Sequence, residues 1–174
     1  MTTLTSKICI VGDFAVGKTS VCERYVNNQF SDKYLTTIGV KVDTKELELC
    51  SRGASVKLVL WDVAGTDRFG NKEFAYLRGA AGFVFVADGT RSMTLRTVQR
   101  LRKDILQRCG EQPQVLLINK HDLSDTWEVT DELIEELETR FGSVFLTSAK
   151  TGEMVEDALK HLAEMVVDQV VAGP

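Results

Sequence analysis

Gly12-Asp13-Phe14-Ala15-Val16-Gly17-Lys18-Thr19 fits the spacing G-x-x-x-x-G-K-[ST], and residue types in that order can hold a phosphate chain. Gly12 and Gly17 let the backbone curl so that successive N–H groups point into one concavity. A helix starting at Lys18 adds its positive dipole end. Lys18 supplies a mobile cation for β- and γ-phosphates, and Thr19 a hydroxyl ligand for Mg²⁺. Farther along, Asn119-Lys120-His121-Asp122 places a carboxylate just beyond the apolar run Val115–Ile118. Asp122 can accept from both N1–H and the exocyclic amine of guanine. Adenine offers neither donor and would leave the carboxylate unpaired. Ser148-Ala149-Lys150 follows one more short apolar run, where a backbone N–H can meet guanine O6.

These segments need a frame, and the apolar pattern provides one. Lys7–Val11 is a short apolar run before the glycine loop, and Lys18–Val26 reads as a helix. Val40–Leu49 and Val56–Val63 alternate like strands, with Ser51-Arg52-Gly53 as the turn between them. Gly82–Asp88 and Gln114–Asn119 are continuous apolar runs, as in strands buried on both faces of a parallel sheet. Between them Val98, Leu101, Ile105 and Cys109 recur at helical spacing. Ser143–Thr147 is one more strand, and Val155 to Val170 marks a long amphipathic helix. Strand–helix alternation predicts an α/β sheet with helices on both faces.

Composition removes other classes. The 174 residues are one domain's worth, taken as residues 1–174 with no second domain, and 44% hydrophobic with 26% charged is globular. A net charge of −4 argues against sequence-independent binding of nucleic acid. No apolar run approaches a membrane span, and Met1 to Ser6 lacks a signal-peptide core, so a cytoplasmic location is expected. The cysteines Cys9, Cys22, Cys50 and Cys109 and the histidines His121 and His161 form no zinc-like spacing; Cys9 reads as core filler.

From Lys7 to about Val167 the chain resembles the small GTPases of the Ras superfamily, most of all the Rab branch. The marks are the glycine loop, Thr37-Ile38-Gly39, Trp61-Asp62-Val63-Ala64-Gly65, Asn119-Lys120-His121-Asp122 and Ser148-Ala149-Lys150, with Rab flavour in Ile38-Gly39-Val40, Lys57 to Asp62, Arg68-Phe69 and Tyr76-Leu77-Arg78-Gly79-Ala80. The resemblance implies a P-loop NTPase of the Ras-like G-domain type, with a mostly parallel six-stranded sheet. It implies nucleotide contacts from Gly12, Asp13, Phe14, Ala15, Val16, Gly17, Lys18, Thr19 and Ser20, then Asn119, Lys120, Asp122, Ser148, Ala149 and Lys150. Phe30 falls where an aromatic edge meets guanine, and Tyr34 where a tyrosine closes over the phosphates. Thr37 would touch Mg²⁺ and the γ-phosphate in the GTP state only. Asp62 would hold the metal through water, and the Gly65 N–H would sense the γ-phosphate. Lys18, Thr37, Gly65 and Thr66 make up the implied catalytic set. GTP, GDP and Mg²⁺ are the implied ligands; effectors, exchange factors and GTPase-activating proteins are the implied partners of a monomer.

Four positions depart from the family. Thr66 stands where a glutamine orients the attacking water, and it is too short to act by the same route. Phe14 is bulky where relatives carry a small residue, crowding the approach of a partner's arginine. Val42 replaces a phenylalanine of the effector trio, leaving Trp61 and Tyr76. The last residues, Val170 to Pro174, contain no cysteine to prenylate, so recruitment to a membrane would need a partner or a tail outside this chain. The first two departures point to slow hydrolysis. A rival reading is a pseudo-GTPase scaffold held in one nucleotide state; a P-loop kinase or ATPase is disfavoured by Asp122. The basic residues of the third helix, Arg91 to Arg108, and the acidic run Asp131 to Glu138 read as solvated faces.

Overall fold

Side chains that alternate along each central strand divide the apolar residues between two faces, which requires helices on both. The computed structural model describes residues 2–33 and 35–173. The elements are β1 (Thr2–Gly12), α1 (Lys18–Asn27), β2 (Val40–Leu49), β3 (Ala54–Val63), α2 (Asn71–Leu77), β4 (Gly82–Asp88), α3 (Ser92–Cys109), β5 (Gln114–Asn119), α4 (Asp131–Phe141), β6 (Val144–Leu146) and α5 (Val155–Ala172). The strands lie in the order β2-β3-β1-β4-β5-β6. Among the described residues only β2 and β3 pair antiparallel; every other neighbour is parallel.

Ile8, Ile10, Val84, Val86, Val115 and Leu117 face α1 and α5, where Val21, Cys22, Leu159 and Leu162 meet them. Their alternates Cys9, Val11, Phe83, Phe85, Leu116 and Ile118 face α2, α3 and α4. Cys9 is wholly buried, and burial pushes its thiol up to about 12, so it behaves as a small hydrophobe. Among the described residues no helix is long and apolar enough to cross a membrane.

The sequence pattern placed β2, β4 and β5 at their observed bounds, but it understated β1. That strand starts at Thr2, because Thr2 to Ile10 pair residue for residue with Ala54 to Asp62. Its polar Thr3, Thr5 and Ser6 hide the strand from an apolar count. The seven-residue α2 gives no periodic signal in the sequence, since about two turns hold too few apolar positions to show one; Phe74 and Leu77 anchor it. The turn at Ser51-Arg52-Gly53 is a short 3₁₀ turn over Cys50–Arg52, ended by Gly53 at φ 58°.

β1 adjoins β3 on one side and β4 on the other, so chain direction across the sheet diverges there. In open α/β sheets the crevice beyond the carboxyl ends of such strands is where ligands bind. The glycine loop, Asp62, Asp88, Asn119 and Thr147 all lie at that edge. The packing beneath it is tight: Phe85 is fully buried and meets the Phe141 ring edge-on at 5.2 Å. Phe85→Ala is expected to cost about 3–5 kcal/mol in urea unfolding. A loss below about 1 kcal/mol would mean the core collapses around the cavity.

Candidate functional site

A cavity of ≈ 630 Å³ opens at this edge, lined by Phe14, Ala15, Gly17–Ser20, Phe30, Thr37, Gly65, Asn119, Lys120, Asp122, Ala149 and Lys150, among others. Ala15 and Gly17 both take left-handed backbone, at φ 57° and 103°. At Gly17 the constraint is double. A Cβ there would lie 2.3 Å from Asn119 Nδ2, the atom that donates to the Val16 carbonyl at 3.0 Å. Asn119 Oδ1 accepts from the Thr147 hydroxyl and the Ala149 N–H, both at 3.2 Å. One amide therefore ties the glycine loop to the loop after β6.

Lys18 is nearly buried, and its Nζ donates to the Asp13 carbonyl at 2.8 Å. Burial pulls its ammonium down to about 8, with the Asp62 and Asp13 carboxylates offsetting part of that. Such a cation is electrostatically underpaired and suits an anionic ligand. Beside it, Thr19 Oγ1 lies 2.6 Å from Thr37 Oγ1 and donates to Asp62 Oδ2 at 2.6 Å. Asp62 is 1% exposed and its Oδ1 has no hydrogen-bond partner among the described residues. Burial raises its carboxyl, against the Thr19 hydrogen bond. Two hydroxyls and an unpartnered buried carboxylate oxygen form an all-oxygen set that fits Mg²⁺.

The end of the cavity around Asp122 is held differently. Asp122 faces the cavity and its Oδ1 accepts from the Ser148 hydroxyl at 2.8 Å. The Ser148 N–H is committed to the Glu153 carbonyl at 3.1 Å, so Ser148 orients Asp122 while Ala149 and Lys150 form the wall. Lys120 is left-handed at φ 70°, and Trp127 Nε1 donates to its carbonyl at 2.8 Å. Arg24 of α1, which sequence reading passed over, donates to the Ala149 and Lys150 carbonyls at 2.8 and 2.5 Å. No motif marks such a residue; it is one cation on an amphipathic helix.

Several expected residues support the cavity from behind. Gly12, Asp13, Val16, Asp62, Thr66 and Ser148 do not line it. Asp13 turns its carboxylate to the Thr97 hydroxyl at 2.8 Å, and Val16 lies in the core. Gly65 packs so closely that a Cβ would fall 2.8 Å from Phe14 Cα, and the Thr66 N–H donates to the Gly12 carbonyl at 3.1 Å. The Thr66 hydroxyl donates to the Arg68 carbonyl and accepts from the Arg68 N–H at 3.1 Å. Phe14 keeps its ring half exposed at the rim. Tyr34 lies outside the described residues. On the opposite sheet face Val42 and Trp61 are direct cross-strand neighbours, and Lys7 Nζ sits 3.7 Å over the Trp61 ring. Tyr76 is half-buried, its hydroxyl near Gly39.

Asp88 joins the two ends. It is 1% exposed, and its Oδ2 takes Lys120 Nζ at 2.9 Å and Arg91 Nε at 3.0 Å. Those cations reach on to the glycine loop: Lys120 Nζ donates to the Ala15 carbonyl at 3.0 Å, Arg91 Nη2 to the Phe14 carbonyl at 2.7 Å. Arg91 stays 42% exposed, in keeping with a solvated face, yet spends its guanidinium on Asp88 and Phe14; Arg100, also exposed, donates to the Asp67 carbonyl at 2.9 Å. Burial raises the Asp88 carboxyl, but hydrogen bonds from Thr90, Lys120 and Arg91 outweigh it and hold the group below its ordinary value. A depressed folded value gives stability that is complete above the unfolded value near 4 and lost as pH falls through the folded one. Asp88→Ala should cost about 1–3 kcal/mol at pH 7, because the Thr90 N–H and hydroxyl lose their charged acceptor while the partly exposed Lys120 and Arg91 regain water. In urea unfolding the gap to the unaltered protein should narrow below about pH 4; a gap constant to pH 3 would refute this.

The family model described as the Ras family matches residues 7–168. The chain is 38% identical over 169 residues to Ras-related protein Rab-32C of Dictyostelium discoideum, covering 95% of this chain and 75% of that one. It is 36% identical over 168 residues to human Ras-related protein Rab-32, covering 92% and 74%. Against Ras-related protein SEC4 of Saccharomyces cerevisiae it is 34% identical over 166 residues, covering 94% and 76%. With that match laid over a glycine loop, the Asp122 carboxylate at the cavity wall and a six-stranded sheet with one antiparallel pair, the chain belongs to the Ras family of small GTPases.

Proposed function

We propose that this protein is a guanine-nucleotide switch that binds GTP and GDP with Mg²⁺ and hydrolyses GTP slowly. Asp122, steadied by the Ser148 hydroxyl, reads the N1–H and amine of guanine. Lys18 and the curled backbone from Phe14 to Gly17 hold the phosphates. Magnesium, when bound, supplies charge neutralisation across the β- and γ-oxygens; Thr19, Thr37 and Asp62 are the residues that would hold it. Thr37 and Gly65 are spring contacts: losing the γ-phosphate frees both segments and changes the surface around Val42, Trp61 and Tyr76. Effectors, exchange factors and activating proteins are the partners that read or drive that change.

Slow hydrolysis rests on one observation, the commitment of the Thr66 hydroxyl to the Arg68 backbone outside the cavity. A water in line with the γ-phosphate then lacks the amide that a glutamine would offer, and the unassisted rate in this family is already ~10⁻⁴ s⁻¹. Phe14 lies beside Gly65, where a Cβ would fall 2.8 Å from the Phe14 Cα, and in this reading its half-exposed ring crowds the space that such a side chain must sweep. Changing Thr66 to Gln alone, or Phe14 to Gly alone, should recover little in single-turnover assays. The double change should exceed the product of the two, as for neighbours in one pocket. A full gain from Thr66→Gln alone makes Phe14 a bystander.

Base selectivity is tested independently. Asp122→Asn should shift preference from guanine to xanthine nucleotides, because xanthine presents a carbonyl where guanine carries its amine, and the new amide can donate to it. Competition with labelled GDP measures this. Equal displacement by ATP and GTP from the unaltered protein would sink the guanine assignment.

A further inference from the structure

The magnesium-site carboxylate has a neighbour that no nucleotide motif includes. Lys41 and Asp62 are direct partners in the antiparallel β2–β3 register, so their side chains leave the same face with Cβ atoms about 5 Å apart. Lys41 Nζ lies 2.6 Å from Glu23 Oε1 on α1 and 3.5 Å from Asp43 Oδ2. Lys41 and Glu23 line the cavity wall that also holds Thr19 and Thr37. The Lys41 side chain is 43% exposed and held by these carboxylates, whereas Asp62 Oδ1 is buried with no hydrogen-bond donor among the described residues.

We propose that Lys41 is a resident counter-ion for Asp62 that competes with magnesium, with Glu23 as the tether that holds it back. This rests on the magnesium–nucleotide reading above. With metal present, Lys41 is parked on Glu23 and its positive charge weakens metal affinity. When the metal leaves, the flexible four-carbon stem lets the ammonium swing from Glu23 to the bare Asp62 oxygen, which otherwise stays desolvated and unpaired. The metal-free state is stabilised, and GDP escapes at magnesium levels that would otherwise retain it. Lys41 is thus a positioning residue for the cation site, and exchange is tuned from outside the loops that touch nucleotide.

The test is release of fluorescent GDP against free magnesium, set with EDTA. Lys41→Met should lower the magnesium concentration that half-suppresses release by about fivefold, the scale of one screened unit charge near a divalent cation. Lys41→Arg keeps the cation and should stay near the unaltered value. Glu23→Gln frees the tether and should move the midpoint the other way, upward by about threefold. Thermal unfolding gives a second readout: Lys41→Met should lose more stability on going from magnesium to EDTA than the unaltered protein loses. Equal midpoints for Lys41→Met and Glu23→Gln would reduce the pair to an ordinary surface ion pair and overturn the proposal. GDP release that ignores EDTA in the unaltered protein would overturn the magnesium reading itself and Lys41's role with it. EDTA-sensitive release with all variants alike would overturn Lys41's role alone.

Discussion

Asp88 has almost no contact with water, and two cations from different loops converge on one of its oxygens. Each cation also holds a carbonyl of the glycine loop, so the curl of that loop depends on a charge placed at the end of β4. Buried ion pairs commonly gain little net stability after desolvation. Here the geometry gained is what matters. Lys120 is fixed by Asp88 on one side and Ala15 on the other, which sets the Asn119–Asp122 turn against the phosphate end of the cavity.

Much of this was legible in the sequence. Gly12 to Thr19 stood out because each residue type there answers a separate physical demand, and Asp122 stood out as a carboxylate just past an apolar strand, where the structure puts it on the cavity wall. The strands β4 and β5 stood out as unbroken apolar runs, since each face of them is covered. What stayed hidden were contacts made by ordinary residues over long separations. Arg24 grips a loop more than a hundred residues away, and Arg91 grips Phe14 at a separation of 77. Nothing in a basic helix face distinguishes an arginine that meets a carbonyl from one that meets water. The start of β1 was hidden for a different reason: its polar residues are in the strand because β3 runs alongside.

The site is also divided by charge. Lys18, Lys120 and Arg91 crowd the glycine-loop side, while Asp62, Asp43 and Glu23 gather near Thr19 and Thr37 with Lys41 among them. Burial depresses Lys18 and raises Asp62, so each is less comfortable charged than it would be in water. An anion and a divalent cation arriving together relieve both, which is why ligand and metal affinities in such a pocket should be strongly interdependent.

The two tryptophans of the chain sit on opposite sides of this machinery. Trp61 is half-buried at the switch face beneath the Lys7 ammonium, while Trp127 packs against Gly89 and hydrogen-bonds the Lys120 carbonyl. Intrinsic fluorescence therefore carries two separable channels. Under the proposed switch, Trp61 emission would follow the exposed face around Val42 and Tyr76, and Trp127 would follow occupation of the cavity beside Lys120. Replacing either ring by phenylalanine leaves the other as an internal optical reporter, so the order in which pocket filling and surface change occur can be timed without any attached dye.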